Sequence, residues 1–159
     1  MKISTRGRYA VMAMADMAQQ LSEGQEGPFR LSEIASRQEI SLNYLEQIFG
    51  ALRRAGLVES QRGAHGGYHL ARDAEEIHIG DVIYAVDEPV DVTRCQNGSC
   101  LTRQGRCLTH NLWAELGQHI HTYLNGVSLA DVVSGRPVMA AEPLFCEQVA
   151  AIKTHEASQ

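Results

Sequence analysis

Three cysteines and a histidine stand in the pattern Cys95-x4-Cys100-x6-Cys107-x2-His110. Thiolate sulfur and imidazole nitrogen are the donors that hold zinc and iron–sulfur clusters. With Cys107 and His110 at the start of a helix, their spacing of three puts both on one face. A flexible loop can then bring Cys95 and Cys100 round to complete four ligands. Ligand type alone does not decide between tetrahedral zinc and an iron–sulfur centre. A disulfide framework fits poorly, because Lys2, Arg6 and Arg8 lead into a helical pattern with no apolar stretch before a cleavage site. The expected compartment is therefore cytoplasmic, where thiols stay reduced. A thiol enzyme would need an orienting acid and an oxyanion hole beside its Cys–His pair, and the sequence supplies neither, so the chain is expected not to be an enzyme. Cys146 stands apart with no assigned role, and His65, His69, His78, His119, His121 and His155 lack a second ligand at useful spacing.

A second set of residues suits nucleic acid. Between Ser41 and Gly56 the apolar residues Leu42, Leu45, Phe49 and Leu52 follow a 3.6-residue period and are expected to face the core. The opposite face then presents Ser41, Asn43, Tyr44, Glu46, Gln47 and Arg54. Asn and Gln can pair with adenine, Ser is permissive, and Glu can accept from the cytosine amine. A carboxylate beside phosphates is unfavourable unless it finds such a donor, which makes Glu46 the expected discriminator. Otherwise it is an ordinary solvated helix residue. Arg62, at the mouth of Arg62-Gly63-Ala64-His65-Gly66-Gly67, is placed to enter a narrow minor groove or meet phosphate. Lys2, Arg6 and Arg8 are candidate phosphate contacts.

These residues need elements to position them. The 159 residues make one domain's worth of chain, and 44% hydrophobic with 21% charged residues suits a core that forms without metals or disulfides. The apolar run Tyr9 to Ala18 contains Asp16 and is too short to span a membrane, so no membrane partner is expected. Up to Arg72 nine basic residues face seven acidic ones, a net +2, whereas the remainder has five against twelve, a net −7. A basic front half fits a lobe that faces nucleic acid.

The spacing predicts helices over Thr5–Leu21, with Tyr9, Ala13, Met14, Met17, Ala18 and Leu21 on one stripe, and over Ser32–Gln38, with Ser32 as its cap. A third follows Ser41 and ends at Gly56. Two runs, Leu57–Gln61 and Tyr68–Ala71, flank the glycine-rich tip of a hairpin. Ile77–Ile79 is a candidate third strand, and Gly80–Val86 a short helix. A long helix over Leu108–Leu124 carries Leu112, Trp113, Leu116, Ile120, Tyr123 and Leu124, and Ser128–Asp131 forms a capping box for a short helix to about Val133. The fold expected is mainly α with a small β-hairpin wing: a winged helix-turn-helix over 1–86, a ligand loop over 87–107, a long helix and a short one over 108–135, and a disordered tail over 136–159.

The chain resembles the winged-helix iron–sulfur transcription regulators over about residues 1–135. The resemblance is carried by Ser4-Thr5-Arg6-Gly7-Arg8-Tyr9-Ala10-Val11, Ile40-Ser41-Leu42-Asn43-Tyr44-Leu45-Glu46-Gln47, Arg62-Gly63-Ala64-His65-Gly66-Gly67-Tyr68 and Cys107-Leu108-Thr109-His110. It implies a homodimer formed through the long helix, with one 2Fe-2S cluster per subunit on Cys95, Cys100, Cys107 and His110. It further implies binding to a double-stranded DNA operator, iron–sulfur donor proteins as partners, and control of cluster-assembly genes, by repression and in some contexts activation. Glu46 would make site choice depend on the cluster, and Arg62 would be the minor-groove wedge. His110 separates this pattern from related nitric-oxide sensors, whose loop has three cysteines without that histidine. The alternative is a nitric-oxide-sensing, redox-sensing or zinc-containing regulator of the same build. The x4 and x6 spacings depart from the family's more nearly equal ones.

Overall fold

A computed structural model describes residues 4–63, 65–86 and 108–136. Helix α1 (Thr5–Ser22) starts where the Ser4 hydroxyl accepts the Gly7 N–H at 2.9 Å. It buries Ala10, Ala13, Met14, Met17 and Ala18, whereas Leu21, expected on that stripe, is exposed in the last turn. Helix α2 (Leu31–Gln38) starts one residue ahead of the sequence prediction, and Ser32 lies inside it without capping. The reason is tertiary. Phe29 pairs with Tyr68 through two 2.8 Å backbone bonds, which hold the chain extended up to Arg30, and Arg30 becomes the N-cap without a side-chain cap bond.

Helix α3 (Leu42–Arg54) is capped as predicted, with Ser41 Oγ accepting the Tyr44 N–H at 3.3 Å. Its buried positions are Leu45, Ile48, Phe49, Ala51 and Leu52. Leu42, expected to face the core, is instead 42% exposed, because it stands in the first turn, ahead of the stretch that packs on the core. The helix closes with Gly56 at φ +70°, Leu57 N–H donating to Leu52 C=O and Gly56 N–H to Arg53 C=O, each at 3.0 Å.

Strands β1 (Val58–Gln61) and β2 (Gly67–Leu70) pair antiparallel, Val58 opposite Leu70 and Gln61 opposite Gly67. Two of the tip glycines are required by close approach. A Cβ on Gly66 would lie 2.4 Å from the Gln61 carbonyl oxygen, and one on Gly67 would lie 2.5 Å from that of Phe29. The Tyr68 ring meets Phe49 of α3 edge-on, centroids 4.9 Å apart, so the hairpin is fastened to the third helix. Phe49 is fully buried. Phe49→Ala should therefore cost about 3–5 kcal/mol, read as a fall in the urea midpoint at unchanged slope. A loss below about 1 kcal/mol would mean the site collapses around the missing ring.

The predicted strand Ile77–Ile79 does not join the hairpin. It crosses the chain that follows the long helix, with a bridge between His78 and Ser128. Ile79 N–H donates to Val127 C=O at 2.8 Å and Leu129 N–H to Ile77 C=O at 2.9 Å. Helix α4 (Ile79–Val86) follows directly. Helix α5 (His110–Gly126) returns to the body at its C-terminal end, where Leu124 is buried. There a Cβ on Gly80 would lie 1.9 Å from Asn125 Oδ1, so glycine permits the close approach of α4 and α5. The Tyr84 hydroxyl and His121 Nδ1 hydrogen-bond across the same junction.

Helix α6 (Leu129–Ser134) has the predicted capping box. Asp131 N–H donates to Ser128 Oγ at 3.1 Å, and the Ser128 hydroxyl and N–H donate back to Asp131 Oδ2 at 2.7 and 3.0 Å. Those bonds hold the Asp131 carboxyl below its usual range. Helices α4 and α6 both pack on α1, giving one core that runs from Ala10 to Leu129. Among the described residues no helix is long and apolar enough to cross a membrane.

Candidate nucleic-acid interface and metal-ligand segment

The N-terminal half of α3 and its cap carry the candidate groove-reading residues. Ser41, Asn43, Glu46 and Gln47 are all exposed, while Leu45 and Ile48 between them point into the core. Helical periodicity thus separates exposed polar residues from buried anchors within one short segment. Tyr44 differs from its neighbours. It is half-buried, with its ring edge-on to Tyr9 of α1 at 5.8 Å, so it braces α3 against α1 as well as bordering the exposed face.

Cations stand on α1, at the end of α3 and beside the wing. Arg53 and Arg54 occupy the last turn of α3, where positive charge complements the helix dipole. Arg53 Nη1 donates to Ser60 Oγ of β1 at 3.4 Å, a long bond linking helix and wing. Arg62 is exposed directly after β1, followed by Gly63 at φ +115°, a conformation that favours glycine. Arg8 is exposed and Arg6 half-buried in the first turns of α1. Lys2 lies outside the described residues.

One charged group whose part is hidden in the sequence is Asp16. There it only interrupts an apolar run, yet in the fold it is 5% exposed and lies inside the helix packing. Arg37 of α2 grips it with Nε at 3.0 and 3.2 Å and Nη2 at 2.7 Å, and Gln38 Nε2 adds a bond at 2.9 Å. The same carboxylate holds the Arg37 guanidinium above its ordinary pKa, against the opposing effect of burial. The signal that could have found it is a lone acid on a buried helical face, which needs a partner from elsewhere in the chain.

Of the four candidate ligands, His110 is described: it is the first residue of α5 and half-buried. Cys95, Cys100 and Cys107 lie outside the described residues, as do Cys146, the rest of the segment 87–107, and the tail from 137. Residues 87–107 connect the end of α4 to the approach to α5, two helices already joined through Tyr84 and His121. Three cysteines on that connection and His110 at the head of α5 are a donor set that suits zinc or iron–sulfur ligation.

Helix α5 exposes its apolar stripe. Leu112, Trp113, Leu116 and Tyr123 are 58%, 42%, 38% and 47% exposed, against 7% for Leu124.

A recognition helix following a short helix and a tight turn, backed by a glycine-tipped hairpin, defines the winged helix-turn-helix class of DNA-binding proteins. The family described as Rrf2, iron-dependent transcriptional regulator, matches residues 3–135. The chain belongs to that family. It is 50% identical over 139 residues to the HTH-type transcriptional regulator IscR of Serratia proteamaculans (strain 568), covering 87% of this chain and 83% of the relative. To the protein of the same name in Yersinia pestis it is 48% identical over the same shares. Among solved structures it is similar to T. potens IscR, with TM-score 0.69 and 38% identity over 85% of this chain and 88% of the other. It is also similar to CymR, the global cysteine regulator of B. subtilis, with TM-score 0.72 and 33% identity over 85% and 98%. The transcription-regulator class and the mainly helical winged fold expected from the sequence are both borne out.

Proposed function

We propose that this protein is a homodimeric regulator that binds a double-stranded DNA operator through α3 and the wing. It carries one 2Fe-2S cluster per subunit on Cys95, Cys100, Cys107 and His110, and controls cluster-assembly genes according to cluster supply. The observation that carries the reading is the exposed row Ser41, Asn43, Glu46 and Gln47 on a capped helix that the wing braces from behind. The IscR name of the relatives and the iron-dependence of the family support the cluster. When bound, a cluster with one imidazole among its thiolates is asymmetric, sensitive to protonation at the histidine and readily lost, as a sensor of supply requires.

The chain's own residues take distinct parts. Asn43 and Gln47 read base edges, Glu46 accepts from cytosine and rejects sites that leave it unpaired, and Ser41 and Tyr44 border the groove. Arg62 enters the minor groove, and Lys2 and Arg8 meet phosphate. His110, at the head of α5, ties the ligand segment to the helix that joins the two subunits. Iron–sulfur donor proteins are its partners in the cytoplasm, and it performs no catalysis.

The test is selection of binding sites from random duplex DNA, run beside iron, acid-labile sulfide and zinc analysis of anaerobically purified protein. Glu46→Ala should broaden the selected sites, and an unchanged site profile would make Glu46 a bystander. Arg62→Ala should weaken operator binding by about 1–3 kcal/mol, measured by fluorescence anisotropy; unchanged affinity would take the wing out of the interface. About one zinc per chain in place of iron and sulfide would assign the site to the structural zinc class.

A further inference from the structure

We infer that Asp16, gripped by Arg37 and Gln38, is a positioning residue for DNA reading: it fixes the pose of the helix-turn-helix on α1 and thereby sequence discrimination. This rests on the reading of α3 as the groove-entering helix. Asp16 is one of only two buried polar or charged residues among those described, and the other, Ser128, is accounted for by its capping box. Asp16 is buried but the Arg37 side chain is 35% exposed, and such a pair is weak evidence for stability, because desolvation of the carboxylate offsets much of the attraction and water screens the guanidinium. Its direction is the property an apolar contact lacks. The three bonds from Arg37 and the one from Gln38 are confined to a narrow range of angles, whereas Leu45, Phe49 and their neighbours tolerate small sliding and rotation.

The location matters as much as the geometry. Arg37 and Gln38 form the last turn of α2, immediately before the turn at Glu39, which adopts the left-handed conformation at φ +54°. Ile40 and the cap Ser41 follow at once. A rotation of α2 on α1 is therefore passed through two residues to the reading face of α3. At the other side, α1 packs on α4 and α6, and α4 packs on α5 in turn. The Asp16 contact thus adds a directional tie through α2 to the direct packing of α3 on α1 and α4.

The experiment uses the full chain with two variants, Asp16→Leu combined with Arg37→Met, and Arg37→Lys alone. The first replaces the pair with apolar side chains of similar bulk. The second keeps the charge and loses the two-pronged grip. Each is assayed for melting temperature and, by anisotropy, for affinity to the selected operator and to a scrambled duplex of equal length. Both variants are expected to stay folded with unchanged affinity for the scrambled duplex. The ratio of specific to non-specific affinity should fall roughly tenfold or more, the effect of one or two lost base contacts. A preserved ratio in a folded variant would overturn the inference and leave the pair a packing feature. Failure of the apolar pair to fold would overturn it as well, since the pair would then hold the fold and not the pose. If the unmodified chain prefers no sequence, the groove-reading assignment itself fails, an outcome separate from either of these.

Discussion

Anaerobically purified Cys107→Ala protein is expected to be colourless, with iron and acid-labile sulfide reduced to background from about two each per chain, the content of a 2Fe-2S centre. The size of the effect follows from the site. Four donors are available in the pattern, and removal of one thiolate leaves an iron without a soft ligand. The fold should survive, because the core is assembled from residues between Ala10 and Val86 and between Leu124 and Leu129, and helices α1, α3, α4 and α6 supply most of it. Far-ultraviolet circular dichroism and melting temperature are therefore expected to stay near the parent values. Retained iron and sulfide would remove Cys107 from the ligand set. An unfolded variant would point to a metal that the structure requires, as in zinc-stabilised domains.

Trp113→Glu combined with Leu116→Glu should convert the proposed dimer to a folded monomer and lower operator affinity by on the order of 100-fold or more, as joining two half-sites in one molecule gains that much. Four large apolar side chains of α5 are exposed, and each stabilises by about 1.5–3 kcal/mol when fully buried. In the proposed homodimer a second copy of the same helix, related by a two-fold axis, would cover them with an identical stripe. Glutamate at two adjoining positions then brings four carboxylates into a single apolar seam, and their desolvation opposes association. Light scattering gives the mass directly. An unchanged dimer mass would move the interface off this stripe, and a monomer with full operator affinity would show that one reading helix suffices.

The ligand pattern is legible in the sequence because three thiolates and an imidazole within sixteen residues suit metal or cluster ligation. The exposed polar face of α3 is legible for a different reason. Alternation between Leu45, Phe49 and Leu52 on one side and Asn43, Glu46 and Gln47 on the other is fixed by the helical period. Tyr44 is less well captured, because its half-buried place against Tyr9 depends on a helix that begins 39 residues earlier. Asp16 escapes for the same kind of reason, since its hydrogen bonds span 21 and 22 residues.

What the sequence determined by itself is local. Ser41 as a cap, Gly56 as a terminator, the Ser128–Asp131 box and the polar face of α3 all depend on groups within about five residues of one another, so residue type and spacing specify them. The tertiary structure decided what depends on partners brought from afar. Phe29 bonded to Tyr68 displaces the cap of α2 from Ser32 to Arg30, and residues 77–79 pair across 127–129 and not with the wing. Leu42 stays exposed on a stripe that should bury it, and Asp16 acquires Arg37. The physical reason is that a backbone group or a buried charge must be satisfied by whatever the fold places within hydrogen-bonding distance, and one-dimensional spacing carries no record of that distance.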